Sequence, residues 1–562
     1  MSEEENEKKV FNILEAKTKT EHVEDIETNE INIEKKFEDE KYLIAQAKEG
    51  AHLEHALSVR ENFRLYWKAC LWSMLVSTSI IMEGYDIVLI GSLYAQPAFL
   101  AKYGTMYESG LAVSVKWQNA IGNATTTGCI LGAFANGWLV DHFGFRKTVL
   151  GCLITCTAYI FIVFFAKNLG MLLAGEMLLG TSWGVIATIC PAYACEVLPT
   201  TMRGYFAIYV DLSWVIGQLI SAGVLQGMST NTTSLGYKLP FALQWMWPAP
   251  LIVGVFLAPE SPWWLCKKGR LEEAEHALNR LTIPENHKRT PKVVAEIIHT
   301  LEIEDEITKG VTYWECFKGS DGRRTEVVMM TYISQVLCGL SLGGSPTYFL
   351  FQAGISSANA YKFTVGILAL GFVCVCFSGW LMTHIGRRTL YIVGLLGCDL
   401  MLLVIGIMSA ASKAHNVLMA EGGMLFVWAA FFYCTLGPIC YPIIAETSSM
   451  RLRAKSVSLA RNGYYLASIV FGVIHPYMIN ASAWNWAGKT GFFYAGTCTV
   501  CLTWAYFRLP ETKDRTPEEL DLLFSHGVSH RHFTDYDVDP YAEDGNVLIE
   551  RTNKRKKFLG FI

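Results

Sequence analysis

Glu83 and Asp86 stand three residues apart in the run Glu83-Gly84-Tyr85-Asp86, inside an apolar stretch from about Cys70 to Leu93. The stretch is long enough to cross a bilayer, and on a helix residues i and i+3 share one face. One ionised Asp at mid-membrane costs roughly 3 kcal/mol on insertion scales. Such a pair must face a wet cavity, find a cation or take up protons. The chemistry on offer is reversible protonation beside a polar passage. The plainer alternative is a structural pair satisfied by neighbouring helices.

Other chemistries lack their residues. The sixteen cysteines are scattered, many of them in apolar runs, as at Cys129, Cys152, Cys156 and Cys374. No CxxC…CxxC or Cys/His ligand pattern appears, and the spacing of Cys374 and Cys376 is wrong for a structural zinc site. No Walker loop or nucleophile constellation is present. Neither an enzyme nor a metal or other cofactor is expected.

The elements that must position the acids follow from composition. Of 562 residues, 52% are hydrophobic and only 17% are charged, which with a positive mean hydropathy predicts a polytopic, all-α membrane protein. Six apolar spans, about 70–93, 116–140, 148–166, 170–192, 204–227 and 241–258, precede a polar stretch; six more follow near 327–351, 361–383, 389–410, 422–445, 455–479 and 490–508. The expected organisation is a disordered tail (1–68), a six-helix half (69–258), a linker with short helices (259–325), a second half (326–508) and a second tail (509–562).

Basic residues set the orientation. Arg146, Lys147, Arg203, Arg387, Arg388, Arg451, Arg453 and those of the linker fall on one side, whereas the other side carries isolated lysines such as Lys102 and Lys238. Both tails and the linker are therefore expected in the cytosol. Asn231 and Asn480 head Asn-x-Ser/Thr sequons in loops predicted outside, where glycosylation is expected.

The chain repeats itself. GWLVDHFGFRK from Gly137 returns as GWLMTHIGRRT from Gly379; Glu196 and Arg203 return at the same spacing as Glu446 and Arg453; Pro259-Glu260-Ser261 returns as Pro510-Glu511-Thr512. Two halves of six helices around a midplane cavity suggest alternating access.

These motifs resemble the sugar porters of the major facilitator superfamily: the loops at 141–147 and 386–388, the run from Pro191 to Gly204, and the half-endings at Pro259 and Pro510. The resemblance covers about 70–520. It is nearest to the fungal α-glucoside:proton symporters, which share Glu-Gly-Tyr-Asp and a run similar to 448–462. It implies gating by Glu196 with Arg146 or Arg203, and by Glu446 with Arg387, Arg451 or Arg453, through charge-assisted bonds at the cytosolic helix ends that hold the halves together when the cavity faces outward.

The resemblance also places sugar contacts, at Asp211 and Gln218 on the fifth helix, Gln335, Ser341 and Ser345 on the seventh, Tyr441 on the tenth, and Tyr464 and Tyr465 on the eleventh. Ser341 and Ser345 replace larger family residues, which favours a longer sugar than glucose among aromatic faces. An arginine of the family's fourth helix is Glu176 here, so Glu83, Asp86 and Glu176 form an acidic cluster that cannot ionise fully. Arg461, buried in the eleventh helix, is the cation expected to settle it. The function implied is proton-coupled symport of α-glucoside disaccharides (maltose, trehalose, sucrose class) across the plasma membrane by a monomer. The rivals are a sugar-sensing, transporter-like receptor and an uncoupled hexose facilitator.

Overall fold

The computed structural model describes residues 59–538 apart from 108–109, 309–311, 344–345, 413, 450, 482, 514 and 516, together with 548–550. The N-terminal tail to residue 58 and the last residues of the C-terminal tail lie outside the described residues.

The first half holds α1 (Arg60–Leu93), α2 (Val115–Phe143), α3 (Phe145–Phe164), α4 (Leu169–Val197), α5 (Thr200–Met228) and α6 (Leu235–Leu257). The second holds α7 (Gly319–Gly343), α8 (Ser357–His384), α9 (Arg387–Ala411), α10 (Asn416–Thr447), α11 (Arg453–Ile479) and α12 (Thr490–Arg508). Ten of these are long and apolar enough to cross a membrane by themselves. The other two are α2, which carries Asn119, Asn123 and three successive threonines, and α12, which carries four Thr and two Tyr. Both pack within the bundle as full spans.

Helix α1 starts ten residues before its apolar run, and α7 begins at Gly319 rather than near 327. Hydropathy marks the part of a helix inside the bilayer, not its ends. The polar first turns of α1 instead meet the linker, where the Ile283 amide donates to the Leu65 carbonyl at 3.2 Å. The linker itself forms the helices Pro262–Lys267, Leu271–Leu281 and Thr290–Thr308.

Glycines let the first half pack tightly. On α2 and α4, Gly128 and Gly132 face Gly180 and Gly184 so closely that a Cβ at any of them would strike the partner's backbone carbonyls. Small residues four apart are what allow helix backbones to meet without a water-driven force. A Gly180→Leu variant is expected to lose several kcal/mol, since overpacking alone costs about 1–3 kcal/mol. Loss of the monodisperse peak in detergent gel filtration checks it, with Gly137→Leu, where a Cβ would meet nothing, as the tolerated control.

The C-terminal tail is not merely polar. Helix Pro517–Ser525 docks beneath α7 through an Arg324–Asp521 salt bridge and an Arg323 bond to the Phe524 carbonyl at 2.5 Å. Leu520, Leu523, Phe524 and Phe533 close a small core there, and His530 stacks on Phe533. Burial, reinforced by Arg323 and Arg508, pushes the His530 imidazole from 6.5 down to about 4. A folded-state pKa below the unfolded one means docking is fully stable above about pH 6.5 and is lost as pH falls toward 4. Hydrogen exchange at 515–538 is expected to rise over that window, and a His530→Phe variant to resist it.

Candidate functional site

A cavity of about 410 Å³ lies between the halves, within the roughly 300–1,000 Å³ range of ligand sites. Glu83 and Asp86 of α1 and Asp211 and Gln218 of α5 line it from the first half. Gln335 and Ser341 of α7, Tyr441 of α10, and Arg461, Tyr464 and Tyr465 of α11 line it from the second. Ser345 falls outside the described residues.

Two helices break where they meet the cavity. Helix α7 loosens over Val336–Leu340, with Gly339 at a φ of 92° that favours glycine, and α10 widens into a π turn over Phe432–Leu436. Such irregular turns are tolerated at membrane depth where they line a cavity and recur at functional sites. Gln335 bridges the two breaks, donating from Nε2 to the Leu436 and Gly437 carbonyls at 3.2 and 3.3 Å.

The acids are anchored unequally. Asp86 is fully buried; Oδ2 accepts from Trp183 Nε1 at 3.0 Å and Oδ1 from Gln244 Nε2 at 2.7 Å. Glu176 does not reach the cavity wall. It sits behind it, facing Asp86, with Oε2 accepting from Thr125 Oγ1 at 3.3 Å. Glu83 Oε2 and Asp211 Oδ2 are buried without a well-formed hydrogen bond among the described residues. Carboxylates this dry must shed charge or pair with a cation.

Arg461 does not form the ion pair expected of it. Among the described residues no carboxylate lies within salt-bridge distance; the guanidinium sits over the rings of Tyr465, Tyr464, Trp214 and Tyr332 at 5.0, 5.3, 5.4 and 5.7 Å. Its Nε donates to the Tyr465 hydroxyl at 3.2 Å. Ring faces are negative and a guanidinium is weakly hydrated, so an aromatic cage holds it without an acid.

The side of the bundle that carries the linker shows one design twice. Glu196 accepts from Ser261 Oγ, and Glu446 accepts from Thr512 Oγ1 at 2.5 Å. Glu260 caps the start of α3 through the Phe145 amide at 2.8 Å, and Glu511 caps the start of α9 through the Arg387 amide at 2.8 Å. Arg387 reaches Glu446 at 3.2 Å. Contrary to expectation, neither Arg146 nor Arg203 pairs with Glu196: Arg146 lies over Phe256, and Arg203 bonds the Leu198 carbonyl. Arg451 pairs with Glu315, and Arg453 donates to the Ala445 carbonyl. These bonds brace each half internally.

At the opposite end, bonds join the halves. Tyr361 donates to the Ser92 carbonyl at 2.7 Å, Gln118 Nε2 to the Tyr348 hydroxyl at 2.9 Å, and Asn119 Nδ2 to the Val473 carbonyl at 3.1 Å. Asn480 is part of this seal, buried and donating to Tyr348 at 2.7 Å. It is therefore not an accessible glycan acceptor, which corrects the expectation. Asn231 sits in a polar turn, its Oδ1 accepting from the Thr233 amide and hydroxyl.

The model of the family described as "Sugar (and other) transporter" matches residues 72–524. The chain belongs to that family. It is 39% identical over 504 residues to the Saccharomyces cerevisiae maltose permease MAL61, covering 88% of this chain and 82% of that one. It is 37% identical over 506 residues to a general alpha-glucoside permease of the same yeast, with the same coverage. Its fold matches the proton:xylose symporter XylE bound to 6-bromo-6-deoxy-D-glucose, with a TM-score of 0.66, 19% identity and coverage of 82% of this chain and 99% of that chain. XylE from E. coli in an inward-open form matches at 0.65, with 20% identity, 81% and 99%. The protein is thus a multi-pass membrane transporter of the twelve-helix major facilitator fold.

Several residues at or behind the cavity wall went unread in the sequence. Trp214 lies three residues after Asp211 and four before Gln218, so helical spacing alone puts it on their face. Trp183 follows Glu176 by seven, another two-turn signal. Gln244 carried no such mark, because its partner Asp86 lies 158 residues away.

Proposed function

We propose that the chain carries α-linked glucose disaccharides across the plasma membrane together with protons, as a monomer with both termini and the linker in the cytosol. One observation carries the reading: three dry carboxylates, Glu83, Asp86 and Glu176, cluster at and behind the wall of a cavity furnished with amide and aromatic groups for a sugar. The names of the similar permeases support the substrate class. Glu83 and Asp86 face the cavity and so exchange protons with whichever side it opens to, while Glu176 shares the charge on Asp86. Gln218, Gln335 and Asp211 supply hydrogen bonds to sugar hydroxyls; Tyr441, Tyr464 and Tyr465 supply flat faces to pyranose rings.

On this reading the Tyr348 seal closes the outside, and the Glu196 and Glu446 networks keep each half rigid as it rocks. Asn231 is the remaining glycan acceptor, in the outer loop between α5 and α6. Adding maltose to cells in unbuffered medium tests the reading: alkalinisation that accompanies uptake supports symport. Uptake without alkalinisation marks a facilitator, and binding without uptake a sensor.

A further inference from the structure

What makes sugar binding depend on the proton is a separate question, and its answer rests on the symport reading above. Of the four rings around Arg461, only that of Trp214 comes from the first half. The same ring is stacked on Tyr441, with 6.4 Å between centroids and 25° between planes. Glu83 and Trp214 face each other here, and Glu83 Oε2 and Trp214 Nε1 are both buried without a well-formed hydrogen bond among the described residues. One accepts and the other donates. Helices α1 and α5 hold their backbones in register, because a Cβ on Gly84 would lie 3.0 Å from both the Cα and the carbonyl carbon of Trp214. The contact leaves no slack between the helices, so any answer to a change on Glu83 must come from side-chain rotation.

We propose that Trp214 is the positioning residue that couples the proton on Glu83 to the sugar platform. With Glu83 neutral, the indole stays stacked on Tyr441 and Arg461 stays in its aromatic cage, which is the arrangement in this structure. The stacked Trp214–Tyr441 pair then stands at the cavity wall as an aromatic platform for a pyranose ring. With Glu83 ionised, its carboxylate accepts from Trp214 Nε1 and draws Arg461, the indole turns off Tyr441, and the platform breaks. The groups facing Glu83 are Asp86 on its own helix, Cys129 of α2, Cys190 of α4, and Arg461, Tyr464 and Tyr465 of α11. Arg461 is the cation among them, and it and the Trp214 N–H are the two groups that reward ionisation. Sugar then binds tightly to the protonated carrier and leaves once the proton has gone.

Trp214→Phe keeps a ring and deletes the N–H. The KM for maltose uptake by a transporter-null host is measured between about pH 5.5 and about pH 7.5. The wild-type KM is expected to rise about tenfold across that range, and the Trp214→Phe KM to vary by less than about twofold, whatever its absolute value. A tenfold rise that persists in the variant overturns the proposal. If the variant does not transport, maltose affinity of the purified Glu83→Gln protein decides. The proposal expects it to bind at about pH 7.5 as tightly as wild type does at about pH 5.5, and weak binding at both values overturns it. A wild-type KM that is flat with pH, with no proton uptake, removes the symport reading itself and the proposal with it.

Discussion

An Asp86→Asn variant is expected to pass sugar downhill but not to accumulate it. Wild-type Asp86 takes two hydrogen bonds, from Trp183 and Gln244. An amide of the same size keeps one acceptor and turns an NH2 against the other donor, and an unsatisfied buried group costs about 1–3 kcal/mol. That penalty slows the cycle. Losing the exchangeable proton has the larger consequence. A proton entering down one pH unit releases about 1.4 kcal/mol, and down 100 mV about 2.3 kcal/mol more. Together these sustain a ceiling of about 500-fold for a neutral sugar carried with one proton. The accumulation ratio of Asp86→Asn should fall from that order to one, measured with labelled maltose in energised cells, while exchange of labelled for unlabelled sugar continues at a reduced rate. Continued accumulation by the variant would take Asp86 out of coupling.

The second large effect is expected at the other end of the cavity. Three side-chain amides converge on one phenol: Gln118, Gln352 and Asn480 lie 2.9, 3.1 and 2.7 Å from the Tyr348 hydroxyl. Gln118 belongs to the first half, and the other two to the second. Tyr348→Phe keeps the ring against Tyr94, whose centroid is 6.0 Å away, and removes only the shared oxygen. Hydrogen bonds are worth about 0.5–1.5 kcal/mol each, more where a buried amide is left unpaired. A loss of about 3 kcal/mol would move the balance between sealed and open forms about 150-fold. Spin labels at Met106 and Trp484, both exposed and in different halves, should report longer separations in the variant. An unchanged distance distribution would mean that the seal does not depend on this hydroxyl.

What the sequence made legible divides along a physical line. Charges in apolar runs stand out because their cost is large and local, so Glu83, Asp86, Glu176 and Arg461 were all visible. The two halves were visible because their motifs repeat. Partners were harder. Counting charges matched Arg461 to a carboxylate, whereas a guanidinium in a dry site was satisfied by four rings, two of them, Tyr464 and Tyr465, already read as sugar contacts. The same habit matched Glu196 to an arginine, while the hydroxyls of Ser261 and Thr512 took the two glutamates. Those hydroxyls sit at equivalent places in the repeated half-endings, so the signal was present in the sequence. Gln244 and Tyr348 left none: their roles exist only once distant helices meet. Asn480 misled in the opposite direction, since a sequon records local residue types and says nothing about burial.

The account depends on dry carboxylates that take up and release a proton as sugar crosses. Purified protein in sealed vesicles, supplied with maltose outside and an inward proton gradient, puts that to the test most directly. Internal maltose should rise well above the external level, and should drop to equality when a protonophore collapses the gradient. Equal accumulation with and without the gradient would contradict it.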